Sequence, residues 1–261
     1  MNEYFTGTDN IIIYIFVAII GVCIGSFLNV VISRLPEKGA FMSDSRSKCP
    51  ECGHHIRVCD LFPVISWLVL LGKCRDCKAK ISPRYPLVEA AGAIFALASL
   101  WKFGLDWPAL IVYSVTMVLI AIALIDFSTS EIPDSLIIAI IPFAIASIWL
   151  LTDITWLSHI IGIFTVALPM MLLTLAVPGA FGGGDIKLMA VCGLLLGWQL
   201  TLLAFFIALL IGGSIAIFLM ASGKRKRGEH MVFGPALCTG VIFALFFGKE
   251  IINYYLGLFV F

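Results

Sequence analysis

Eight apolar runs fill most of this chain, and each is long enough to matter in only one solvent. They cover residues 10–33, 87–101, 108–125, 135–151, 156–177, 186–197, 199–221 and 235–256. About 20 consecutive apolar residues cross a bilayer as a helix, and in lipid every backbone N–H and C=O must be satisfied inside the segment. The runs at 87–101 and 186–197 are short for a crossing, so their ends are the softest. The composition agrees with a membrane class: 61% of residues are hydrophobic and 13% charged, with mean hydropathy +1.07, against about 45–50% and about 25% in soluble domains. The expected fold is an all-α polytopic membrane protein of about eight transmembrane helices, with a small cytoplasmic insertion between the first two.

Charge placement gives the orientation. The first ten residues contain Glu3 and Asp9 and no Lys or Arg, unlike a cleaved signal peptide, which carries a basic segment before its apolar one. The basic residues begin with Arg34. Counting crossings from an outside amino terminus puts 15 of the 17 Lys and Arg residues on the cytoplasmic side, as the positive-inside rule requires. Lys224-Arg225-Lys226-Arg227 suits anionic lipid headgroups and is too short and isolated to argue for nucleic acid, so membrane lipids are expected partners and nucleic acid is not. Gly21, Gly25 and Ser26 are small residues at helical spacing, which fits helix packing. The expected divisions are 1–33, the first membrane helix; 34–86, the insertion; and 87–261, the remaining membrane domain.

The insertion holds Cys49-Pro50-Glu51-Cys52 and, 21 residues later, Cys74-Arg75-Asp76-Cys77. Two paired thiols on tight turns supply the four thiolates of a structural zinc site. Iron on the same ligands is the minor alternative, and two disulfides would need an oxidising compartment. His54, His55 and Cys59 are spare ligands. The stretch 61–72 is apolar for only about a dozen residues, which fits an interfacial or re-entrant segment better than a span. Glu89 lies a turn into the next helix, where it either favours the helix dipole or contacts a ligand.

Two acids sit at membrane boundaries. Asp126 closes the apolar run 119–125, and Asp185 follows Gly182-Gly183-Gly184 and precedes Lys187. Acids inside membrane segments are functional-site candidates by default, although each alone also reads as a helix-end charge or a solvated turn. Glycines at 182 and 184 let backbone approach closely. Taken together, Asp126 and Asp185 point to a two-carboxylate enzyme, in which one acid activates water and the other donates a proton. Asp134 is expected first as a helix cap; Lys187 either favours the ionised dyad or snorkels to phosphate.

The segment Gly25-Ser26-Phe27-Leu28-Asn29 through Arg34-Leu35-Pro36, the two Cys-x-x-Cys motifs, Pro83-Arg84-Tyr85-Pro86-Leu87-Val88-Glu89, Asp126 with Ile132-Pro133-Asp134, and Gly182-x-Gly184-Asp185-x-Lys187 together resemble the bacterial type IV prepilin peptidases. The resemblance implies an inner-membrane enzyme that cleaves the basic leader of prepilins or pseudopilins, then methylates the new amino terminus with S-adenosylmethionine. It places the catalytic pair on Asp126 and Asp185. A presenilin-like intramembrane aspartyl protease also uses a Gly-x-Gly-Asp acid, and Pro235-Ala236-Leu237 is similar to that group's tripeptide, but that group lacks the cysteine motifs. A proton-coupled transporter is the third reading; no internal repeat of membrane segments supports it.

Overall fold

The computed structural model describes residues 8–36, 47–150, 154–223 and 232–258, and among them the chain is helical. In chain order the helices are α1 (Thr8–Arg34), α2 (Ile65–Val69, after a 3₁₀ turn at Val58–Leu61), α3 (Arg84–Phe103), α4 (Trp107–Thr129), α5 (Asp134–Leu150), α6 (Trp156–Ala176), α7 (Gly183–Ala221) and α8 (Gly234–Gly257). Six are long and apolar enough to cross a membrane, and α5 is a shorter apolar helix. The basic cluster at 224–227 lies outside the described residues. Two compact units form, Met1–Leu105 and Asp106–Phe261.

In the amino-terminal unit α1 packs on α3 through small residues. A Cβ on Gly21 would lie 2.6 Å from the Gly92 carbonyl oxygen, and one on Gly25 would lie 2.7 Å from that of Val88. The two backbones therefore touch, the contact that small residues allow between membrane helices. Asn29, 3% exposed, donates from Nδ2 to the Tyr85 carbonyl (3.0 Å) and ties the end of α1 to the start of α3.

In the carboxy-terminal unit the two expected spans 186–197 and 199–221 follow one another directly within α7 and are separated by a non-helical residue, Gly197 (φ 75°, ψ 169°). Such a backbone belongs to glycine. A straight helix would carry Phe205 about 30 Å or more from Phe181 at 1.5 Å per residue, yet their rings are 6.4 Å apart. The chain thus folds back at Gly197 as two rods, 183–196 and 198–221. With α1, α3, α4, α5, α6 and α8 these make the eight apolar rods expected from sequence.

The reversal frees backbone groups that lipid cannot satisfy, and side chains of α5, α6 and α7 take them. His159, fully buried, lies with Nδ1 2.7 Å from the Leu194 carbonyl, which only accepts, so the ring proton is on Nδ1. Ser147 donates to the Leu195 carbonyl (3.2 Å), Trp198 N–H to Ser158 Oγ (3.4 Å) and Thr201 to the Gly197 carbonyl (2.6 Å). Close packing of α6 on the first rod completes the arrangement, with Gly162 and Gly193 each facing the other's carbonyl.

This contact predicts an asymmetry between glycines. Gly193→Leu is expected to destabilise the protein by at least about 1–3 kcal/mol through overpacking. Gly213→Ala, with nothing within 4 Å of a new Cβ, is expected to be neutral or stabilising by up to about 1 kcal/mol. Thermal unfolding in one detergent compares them directly.

Candidate active site and metal centre

Asp126 lies one turn before the end of α4, and its carbonyl accepts from Ser130 N–H (2.8 Å) where the helix stops in a left-handed residue. Asp185 is the third residue of α7. Its Oδ2 accepts from the Gly182 N–H (3.3 Å), which is the reciprocal half of a capping box. Both acids are largely enclosed, at 5% and 8% exposure.

The element they share is α8. At Gly234, its first residue, a Cβ would strike Asp126 Oδ2, so the bare glycine is what lets this helix start against the carboxylate. Phe233, just before that glycine, has its ring 5.7 Å from that of Phe181, four residues before Asp185. The start of α8 thus borders both the Asp126 carboxylate and the turn that leads to Asp185. Sequence reasoning missed Gly234 as part of this site; only the neighbouring Pro235-Ala236-Leu237 was singled out, as a weak tripeptide likeness.

The flanking residues sort by face. A Cβ on Gly184 would lie 2.9 Å from Ile132 Cβ, so Gly184 packs on the turn that follows Asp126. Lys187 Nζ donates to both carboxylate oxygens of Asp134 (2.9 and 3.0 Å). The expected capping by Asp134 gives way to this pair, because Asp134 is already the first helical residue of α5. The pair heads a groove of about 400 Å³ lined also by Ile137, Ile138, Ala190 and Val191. Asp185 instead continues into the buried stripe Leu188, Met189 and Cys192. Lys187 and Asp134 therefore bridge α5 and α7 on a different face of α7 from Asp185. Glu89 belongs to the other unit, where its Oε2 accepts from the Val64 N–H at 2.6 Å.

The four cysteines of the insertion converge, with all Sγ atoms within 4.8 Å of one another. Their two turns are copies offset by 25 residues. Gly53 N–H donates to the Cys49 carbonyl and Cys49 N–H to that of His54; Lys78 N–H donates to the Cys74 carbonyl and Cys74 N–H to that of Ala79. Gly53 (φ 70°) and Lys78 (φ 60°) take the same left-handed turn, and the bridges Lys48–His55 and Lys73–Lys80 close the two copies identically. Cys49 Sγ and Cys77 Sγ are 3.8 Å apart, the edge of a tetrahedron with metal–sulfur bonds of about 2.3 Å. The N–H groups of Cys52 and Glu51 pull the Cys49 thiol down to about 7. At Cys77 the Ala79 N–H also pulls down but is outweighed by desolvation and the neighbouring thiols, which push it up to about 12. Crowded thiols resist ionising together, and a bound cation removes that resistance. His54, His55 and Cys59 are exposed.

Fold and insertion define a multi-pass membrane protein with a cluster of four cysteines able to bind a metal between its first two span-length helices. Two family models match it: the Bacterial Peptidase A24 N-terminal domain over residues 19–103 and the Type IV leader peptidase family over residues 113–217. Relatives named prepilin leader peptidase/N-methyltransferase include one from Stutzerimonas stutzeri, 34% identical over 91% of this chain and 92% of the relative. Those of Pseudomonas aeruginosa and Bacillus subtilis are each 31% identical over 91% of this chain, covering 91% and 96% of their own lengths. No solved structure matches. The chain belongs to the type IV leader peptidase family, and the presenilin-like and transporter readings give way to it.

Protein purified without chelator is expected to carry one metal ion per chain, bound by Cys49, Cys52, Cys74 and Cys77. Cys77→Ser should lose it and loosen the insertion, since metal binding supplies folding energy to such small sites. Elemental analysis with limited proteolysis of the two proteins checks both statements.

Proposed function

We propose that this chain is a prepilin peptidase and N-methyltransferase of the bacterial inner membrane. It removes the leader of prepilins or pseudopilins at the cytoplasmic face and methylates the new amino terminus, and Asp126 and Asp185 perform the hydrolysis. The observation that carries the catalytic assignment is the start of α8, which lies against the Asp126 carboxylate at Gly234 and beside the turn leading to Asp185 through the rings of Phe233 and Phe181.

Two nearby carboxylates share a proton more readily than they both ionise. One takes a proton from water as its oxygen attacks the scissile carbonyl; the other gives its proton to the carbonyl oxygen. Collapse of the tetrahedral intermediate breaks the C–N bond; the proton held by the first acid passes to the leaving amine, and the second acid takes one back from the gem-diol hydroxyl as the carbonyl re-forms. The pair titrates as a unit, so the roles belong to the dyad rather than to one residue. With the amino terminus outside, both acids lie at cytoplasmic helix ends, where water reaches them while the substrate's apolar helix stays in lipid. Gly182 and Gly184 keep the turn before Asp185 free of side chains, and the Lys187–Asp134 pair holds α5 against α7 beside it.

Zinc is the metal we assign to the four thiolates, as a cross-link of the two knuckles with no part in hydrolysis. S-adenosylmethionine, when bound, supplies the methyl group. Among the described residues no strand precedes a glycine-rich turn, so a dinucleotide-type pocket does not fit this fold.

Asp126→Asn and Asp185→Asn are each expected to lower leader cleavage by at least about 10²-fold while the protein still inserts and folds. Asp134→Asn is expected to be milder. Near-normal turnover in either Asn variant of the dyad, measured on a prepilin in lipid, would remove the aspartyl mechanism. In the same assay Gly234→Ala, which drives a methyl into the Asp126 carboxylate, is expected to lose cleavage without losing its membrane fold.

A further inference from the structure

The insertion carries an apolar face that its own core leaves uncovered. On α2, Ile65, Leu68 and Val69 share one side at i, i+3 and i+4 and are 61%, 58% and 71% exposed. Phe62 before them and Leu71 after them are exposed as well, as is Val58 in the preceding 3₁₀ turn. The opposite side is fastened: Trp67 donates to the Ile81 carbonyl (3.2 Å) and its ring lies 2.9 Å from where a Cβ on Gly72 would be, while Ser66 donates to the Cys59 carbonyl (3.3 Å). The outward direction of Ile65, Leu68 and Val69 is therefore set by the insertion itself.

A second observation fixes how deep this face lies. Val64, just before α2, holds a left-handed backbone (φ 61°) that a β-branched residue rarely adopts. Its N–H is accepted at 2.6 Å by Glu89 Oε2. Glu89 is in the second turn of α3, about 7–8 Å along the helix from Arg84 at 1.5 Å per residue. At 20 residues, α3 is about as long as the hydrocarbon core is thick, about 30 Å. The bond thus clamps α2 at the level where α3 enters the membrane. Amphipathic interfacial helices sit about 5–10 Å into the headgroup and acyl boundary, the same depth.

The charge around the face suits one kind of surface. Between Lys48 and Arg84 the sequence has seven Lys and Arg residues against three acids. Two of the acids are occupied: Asp60 pairs with Arg75 through three contacts of 2.5–3.1 Å, and Asp76 lies 3.7 Å from Arg57. Lys73, Lys78 and Lys80, in the same insertion, are exposed. Basic residues at a membrane surface gain about 1 kcal/mol each from anionic lipid.

We infer that the face of Ile65, Leu68, Val69 and Leu71 is a lipid-binding wedge, held by the Val64–Glu89 bond in the leaflet on the insertion's side, with the insertion's excess of basic residues selecting anionic headgroups. Glu89 is then a positioning residue that seats the wedge. The four-cysteine knuckles ride on the membrane surface as a consequence.

The test uses the full chain in nanodiscs of mixed phosphatidylcholine and phosphatidylglycerol. A benzophenone amino acid replaces Val69, Leu71 or, as a third position should one variant misfold, Leu68; a control carries it at Glu51 on the first knuckle. After irradiation, mass spectrometry is expected to find lipid adducts at the wedge positions about tenfold or more above the control, as burial at the acyl boundary requires, with phosphatidylglycerol enriched over its bulk share. Wedge positions no more reactive to lipid than the control, or captured only by an added prepilin, would overturn the inference. Adducts that mirror the bulk lipid mixture would overturn the selection of anionic headgroups.

Discussion

The cost of an unsatisfied polar group in hydrocarbon shapes the breaks and ends of the helices in the carboxy-terminal unit. A carboxylate inside a membrane is tolerated where it meets other polar groups or a helix terminus, and Asp126 and Asp185 both sit within a turn of one. The same cost explains the break at Gly197. Without His159, Ser147, Ser158 and Thr201, carbonyls and an N–H freed by the reversal would face apolar side chains. Two kinds of helix terminus thus coexist in the carboxy-terminal unit: one kind bears the acids, and the other is sealed by a histidine and hydroxyl side chains.

Much of this was legible in the chain. The eight rods follow from apolar length, and the cysteine cluster follows from its spacing, because paired thiols on tight turns have few other uses. The illegible parts depend on contacts between residues distant in sequence. Glu89 read either as a helix-dipole acid or as a ligand contact, because nothing in its neighbourhood announces that Val64, 25 residues earlier, needs an acceptor. His159 has no local partner in sequence either; its role depends on the Leu194 carbonyl, 35 residues later. Gly234 carried no signal of its own, since a glycine before a proline at a helix start is common; its meaning comes from the carboxylate it faces. Asp134 was read as a cap from local pattern alone, and a lysine on another helix takes its carboxylate instead.

The insertion shows how a small unit gains order with little core. Its two knuckles repeat one hydrogen-bonding scheme, each supplying two thiols, so neither completes a tetrahedral set alone. Trp67 and the Val64–Glu89 bond do for the connecting segment what the thiols do for the knuckles: they fix orientation where burial is too small to do so. Small domains without a sizeable core depend on such staples.

The start of α8 has a consequence for when the protein becomes complete. Synthesis proceeds from the amino terminus, and early segments fold as units before later ones exist. Asp126 and Asp185 are made before Gly234, so for a time both acids exist without the helix that starts against the Asp126 carboxylate. That helix follows α1 to α7 in the chain. A nascent chain that has not yet reached α8 therefore holds both acids but lacks the bare glycine on which one of them rests.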